Sequence, residues 1–253
     1  MIAAQTGIET DASGSAAAEL AKFNAIAGRW WDREGPMRAL MAMNPLRTDW
    51  IMRRVRPRFG AGVRVLDVGC GAGLLAESLA KAGCAVTGLD AAGETIAVAR
   101  AHARQSGLDI AYQVGTAAMV RAAGLRFPVV TALEIIEHVD QPAEFIATLA
   151  GLLEPGGLLF VSTINRTRRS FLGAKLGAEY LLRVVPVGTH DWRKFITPAE
   201  LAGWGRDAGL RLGAMAGMVP DGGLRRFKES ASLAMNYIAM LETGAGAINR
   251  RMG

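Results

Sequence analysis

Asp67, Gly69, Gly71, Gly73 and Asp90 stand at spacings that could hold a nucleoside. Alternating glycines let a backbone turn tightly and approach a ligand that a Cβ would exclude. An acid about 20 residues past such a turn, at the end of the next strand, can accept hydrogen bonds from both hydroxyls of a ribose. Asp67 precedes the turn, where a carboxylate would repel a pyrophosphate and favour a ligand bearing positive charge. A second group is Glu134, Glu137 and His138. At i, i+3 and i+4, one helical turn would present all three on one side. Two carboxylates and an imidazole suit Mg²⁺, Mn²⁺ or another oxygen-preferring divalent ion. A catechol held by such an ion would lose a phenolic proton more readily, because the metal stabilises the phenolate. The competing reading is that the cluster only shapes a pocket.

The elements that must position these residues alternate. Residues 63–68 are a short apolar run of strand type, 74–82 follow with helical spacing, and 85–89 form a strand ending at Asp90. A helix over 94–106, a strand over 110–114 and a short helix within 117–123 precede a buried strand, 127–133, that leads into Glu134. Helix 143–153, a turn at 154–157 and strand 158–163 continue the pattern. Such alternation requires a parallel sheet wrapped by helices on both faces, with ligands at the carboxyl ends of the strands. Thr197, Pro198 and Glu200 open another helix as N-cap, N1 and N3. Residues 210–218 and a run around 235–241 supply the last strands.

The flanks are less regular. Residues 1–19 contain Glu9, Asp11 and Glu19 but no Lys or Arg, which excludes a signal or Arg-rich transit peptide and reads as a disordered leader. The remainder, 20–253, reads as one domain, with 20–60 as a helical cap. Leu20, Phe23, Ile26, Ala27 and Trp30 would share a face, and Trp30-Trp31-Asp32 and Asn44-Pro45-Leu46-Arg47 punctuate the segment. Two adjacent tryptophans cannot share one narrow stripe, so one caps the core or lines a site. Arg47 is either a solvated charge or a clamp on a carboxylate. Over 165–195, seven basic residues face two acids, which accounts for +5 of the net +6. This stretch is an amphipathic helix that either lies on an anionic membrane or packs over the site. Nucleic acid fits poorly, because stacking aromatics are not interleaved with the charges. Two cysteines, Cys70 and Cys84, make no C-x-x-C pair and fit a reducing compartment.

The glycine turn, D-V-G-C-G-A-G, resembles the first motif of class I S-adenosylmethionine (SAM) methyltransferases more than the G-x-G-x-x-G of dinucleotide binders. Further motifs are R-W-W-D (29–32), N-P-L-R (44–47), V-T-G-L-D (86–90), E-I-I-E-H-V (134–139), a long stretch at 177–195 containing G-T-H-D-W, and x-N-Y (235–237). Together they resemble the ubiquinone-biosynthesis O-methyltransferase family over about 21–241. The resemblance implies a doubly wound, Rossmann-like α/β fold with a mostly parallel seven-stranded sheet, an N-terminal helical extension and an amphipathic insertion. It also implies methylation of phenolic oxygens on polyprenylated rings at two pathway steps, an early one and 3-demethylubiquinol at the end. A soluble catechol-type phenol is the alternative substrate. By position, Arg47, Gly69, Asp90 and Leu133 would contact SAM, joined by Asp67 and Gly71 of the turn. The family's Mg²⁺ ligands fall on Glu134, Glu137 and His138. Residues 165–195 match its membrane-contacting insertion, implying a peripheral place on the inner membrane of a bacterial cytoplasm, or the matrix side in a mitochondrion. Other ubiquinone-biosynthesis proteins are possible partners. His190 is a general base or a structural hydrogen-bonding residue.

Overall fold

The structure, a computed structural model, describes residues 21, 24–167, 170, 192–223 and 225–244. The leader and most of the 165–195 insertion, His190 included, lie outside the described residues.

Strands β1 (Arg64–Val68), β2 (Ala85–Asp90), β3 (Ala111–Val114), β4 (Phe127–Leu133) and β5 (Leu153–Ile164) run parallel. The sheet continues through β6 (Leu210–Pro220), β7 (Phe227–Ser230) and β8 (Asn236–Thr243) in the order β3-β2-β1-β4-β5-β8-β6-β7. β8 lies antiparallel to both β5 and β6. The sheet has eight strands among the described residues rather than the expected seven. The extra one, β7, is a four-residue edge strand with polar and charged residues and no apolar run to mark it.

The central strands β1, β4, β5 and β8 bury both faces, successive side chains pointing to opposite sides of the sheet. Val65, Val86, Val129, Phe160 and Ile238 face one core, closed by α1 (Arg38–Phe59), α2 (Leu74–Lys81) and α3 (Gly93–Gln105). Leu66, Leu89, Val130, Val161 and Tyr237 face the other, which holds side chains of α4 (Ala117–Ala122), α5 (Pro142–Gly151) and α6 (Pro198–Asp207). The capping box at Thr197 and Glu200 forms as the sequence requires.

Two local expectations change. The stretch 154–157 is a bulge inside β5, because Phe127 pairs with Leu153 and Val129 next pairs with Leu158. N-P-L-R does not break a helix: Pro45 lies inside the 22-residue α1. An internal proline costs about 3 kcal/mol. Burial of the apolar Met43, Trp50, Ile51 and Val55 outweighs it, each being worth about 2 kcal/mol.

Near the end of β6, Gly217 permits a close crossing: a Cβ there would lie 1.9 Å from the Ser232 carbonyl oxygen. Because the obstacle is backbone, Gly217→Ala is expected to cost about 3 kcal/mol, read as a lowered urea midpoint. An unchanged midpoint would mean that the 230–232 turn yields freely.

Candidate functional site

β1 leads outward to β2 and β3 on one side, and the chain then returns to β4 on the other. Crevices at such a switch point, outside the carboxyl ends of the strands, take ligands. The glycine turn after β1 and Glu134 after β4 both sit there.

The turn is built by positive φ at Gly69 (69°), Gly71 (53°) and Gly73 (90°), a region open to glycine. Asp90 ties it down: Oδ2 accepts from the Gly71 N–H at 2.9 Å and Oδ1 from the Ala92 N–H at 2.8 Å. Both oxygens keep lone pairs for further donors. Burial raises the Asp90 carboxyl, against the pull of those N–H groups. Asp67 lies deeper, 2% exposed. Its Oδ1 accepts from Thr131 Oγ1 at 2.7 Å, while Oδ2 is buried with no partner among the described residues. Burial is the main cause that pushes this carboxyl up to about 7, with Asp90 adding to it and the Thr131 hydroxyl and the nearby Ala76 N–H opposing it. A buried, half-satisfied carboxylate beside a turn that excludes Cβ atoms fits a cationic nucleoside such as SAM. Asp67 would meet the methionyl ammonium and Asp90 the ribose.

Both tryptophans of R-W-W-D hold the turn. A Cβ on Gly71 would lie 2.4 Å from the Trp30 ring, which packs with Met37 and Ala72. The Trp31 indole N–H donates to the Ala72 carbonyl at 3.0 Å, and its ring stacks on His102 at 3.5 Å. His102 Nδ1 in turn lies 2.5 Å from Oε1 of the buried Glu77, whose other oxygen takes Lys81. Trp31 is only half-buried, so Trp31→Leu should spare global stability. It should weaken SAM binding about tenfold, about 1.4 kcal/mol, by loosening the turn. Calorimetric titration reads this, and unchanged affinity would make the indole a surface contact.

The helix α1 brings in N-P-L-R. Asn44 donates to the Leu74 carbonyl and to Ser78, both at 2.8 Å, fixing α1 against the start of α2. Arg47, 4% exposed, reaches Glu134 Oε1 at 2.5 Å. Leu133 ends β4 half-buried beside it, and Ile135 packs on Gly69, where a Cβ would meet its Cδ1 at 2.3 Å.

The three expected metal ligands are not gathered. Among the described residues no group of three His, Cys, Asp or Glu side chains is placed to hold a metal ion. Glu134 precedes the single 3-10 turn Ile136–His138 and has φ 54°, so it does not share a helical face with Glu137 and His138. Its carboxylate instead accepts from Arg47, from Ser162 Oγ at 2.7 Å and from Asn236 Nδ2 at 2.9 Å. Glu137 is buried and accepts from Thr163 at 2.8 Å, its carboxyl raised by burial and by Glu134. His138 is half-buried.

Thr131, Ser162, Thr163 and Asn236 belong to the site without having been singled out as site residues. A polar residue interrupting an apolar strand was the available signal for the first three, and x-N-Y for the last.

A family model described as a methyltransferase domain matches residues 39–214. The chain is 47% identical over 223 residues to the ubiquinone biosynthesis O-methyltransferase of Xanthomonas axonopodis pv. citri, covering 87% of this chain and 92% of that one. It is 46% identical to the protein of that name from Stutzerimonas stutzeri, covering 87% and 94%. Among solved structures, the magnesium protoporphyrin IX methyltransferase of Synechocystis with bound SAH superposes with TM-score 0.66 at 18% identity, covering 91% of this chain and all of that one. With the matched methyltransferase domain, that likeness shows the class I methyltransferase fold.

Proposed function

The chain belongs to the ubiquinone biosynthesis O-methyltransferase family, and we propose from that membership and from the site that it methylates a phenolic oxygen of a polyprenylated catechol. The observation that carries the cofactor side is the buried Oδ2 of Asp67 beside the glycine turn, which has no hydrogen-bond partner among the described residues.

When bound, SAM supplies a methyl group activated by its sulfonium. The chain's own part is positioning and charge complementarity. Asp90 would accept from the ribose hydroxyls and Asp67 from the ammonium, while Arg47 would face the methionyl carboxylate. Trp30 and Ile135 wall the turn against water. Holding cofactor and phenol in line is itself worth several powers of ten in rate. No residue is assigned as general base.

Mg²⁺ at Glu134, Glu137 and His138 does not enter this mechanism. Glu134 Oε1 already takes three donors, one of them cationic, and a second cation beside Arg47 would be repelled. The basic stretch 165–195 is proposed to hold the enzyme peripherally on an anionic inner membrane of a bacterial cytoplasm, where a polyprenyl substrate resides. No helix among the described residues is long and apolar enough to cross a membrane.

The test is methyl transfer from labelled SAM to a short-chain 3-demethylubiquinol, with and without EDTA, read by mass spectrometry. Methylated quinol in both samples is the expected result. Product only without EDTA, restored by Mg²⁺, would require Glu134 to exchange Arg47 for a metal. No product while SAM still binds would redirect the search to a soluble phenol.

A further inference from the structure

Glu134 is the one non-glycine residue with positive φ among the described residues. A side chain in that region costs about 1 kcal/mol or more and persists only where its surroundings demand it. Here the demand comes from two strands. Ser162 of β5 grips Glu134 twice, its carbonyl accepting from the Glu134 N–H at 2.9 Å and its hydroxyl donating to Oε1. Asn236, the first residue of β8, spans both carboxylate oxygens with Nδ2, at 2.9 and 3.1 Å. The object of this arrangement is Arg47. That guanidinium is almost fully buried, Glu134 is its ion-pair partner, and its Nε–H has no partner among the described residues. A buried, uncompensated cation would be costly, so a counter-ion locked in place is what allows Arg47 to sit beside the turn.

From this juxtaposition we infer that Glu134, clamped by Ser162 and Asn236, is the positioning counter-ion of Arg47 rather than a metal ligand, and that it aims the guanidinium at the cofactor's carboxylate. The inference rests on the SAM reading above. A counter-ion that orients Arg47 matters only to a ligand with a carboxylate to offer. Loss of the clamp lets the guanidinium turn away, and the penalty falls on SAM but not on the same nucleoside without that group.

The experiment titrates SAM and decarboxylated SAM into the wild-type protein, Asn236→Leu and Ser162→Ala. Wild type should prefer SAM. Each variant should bind SAM about tenfold more weakly while its affinity for decarboxylated SAM stays within twofold. Equal losses for both ligands would mean that the clamp only supports the fold, and no loss for either would mean that Arg47 orients itself. If Asn236→Leu does not fold, Ser162→Ala carries the comparison, since it removes a single hydroxyl. Titration of MgCl₂ alone gives a second reading. Heat present in wild type and absent in Glu134→Gln would overturn the inference by returning Glu134 to a metal. Wild-type protein that binds neither nucleoside would instead defeat the cofactor reading itself.

Discussion

Asp67→Asn is expected to stabilise the ligand-free protein at pH 8 while weakening SAM binding about 100-fold, about 3 kcal/mol. The two effects share one cause. The Asp67 carboxyl is raised by burial, so its ionised form is disfavoured in the folded chain. Well below its ordinary value of 3.8 it is neutral folded and unfolded alike and costs nothing. As pH climbs from about 4 to 7 the unfolded chain ionises first, so native stability falls through that window, the reverse of an ion-paired carboxylate. Asparagine keeps an acceptor for Thr131 and removes the buried charge, a gain of about 2 kcal/mol at pH 8. The cofactor's ammonium would supply the partner that Oδ2 lacks among the described residues, so binding favours the ionised form. Wild-type affinity should therefore drop about tenfold from pH 8 to pH 6 and that of Asp67→Asn should be flat. Thermal melts without ligand and calorimetric titrations at the two pH values read both effects. A wild-type affinity independent of pH would remove Asp67 from the ammonium site.

Asp90→Ala should be more damaging still to binding, by roughly a thousandfold or about 4 kcal/mol. Two charge-assisted bonds to ribose hydroxyls disappear together, each worth about 1.5–3 kcal/mol. The same substitution frees the Gly71 and Ala92 N–H groups, so the turn also loses its tether. Asp90→Asn separates the contributions: one acceptor oxygen remains, and the loss should fall to about tenfold. A 2′-deoxy cofactor analogue should lose affinity on wild type but little further on Asp90→Ala. Binding of SAM to Asp90→Ala within threefold of wild type would place the ribose elsewhere.

The alternating strands and helices, the glycine turn, Asp67, Asp90 and the capping box at Thr197 could be read directly from the chain. Each depends on neighbours within a few residues: apolar periodicity, glycine spacing, or an acid at a strand end. Glu134, Glu137 and His138 are not gathered as a metal site among the described residues, for a related reason. Spacing of i, i+3, i+4 brings side chains together only on a helix, and the backbone at Glu134 is left-handed because Ser162 holds it from the neighbouring strand. Pro45 looked like a break, yet the buried face of α1 keeps the helix continuous through it.

What sequence alone determined is therefore the sheet's order of construction and the acids that face a nucleoside. Tertiary structure decided which partners those groups meet. Trp31 reaches Ala72 across 41 positions, Arg47 reaches Glu134 across 87, and Asn236 reaches it across 102. Contacts over such separations leave no periodic trace in the chain. They exist because the parallel sheet and the α1 packed on it deliver remote residues to one crevice, where a buried charge must find its complement or not be charged.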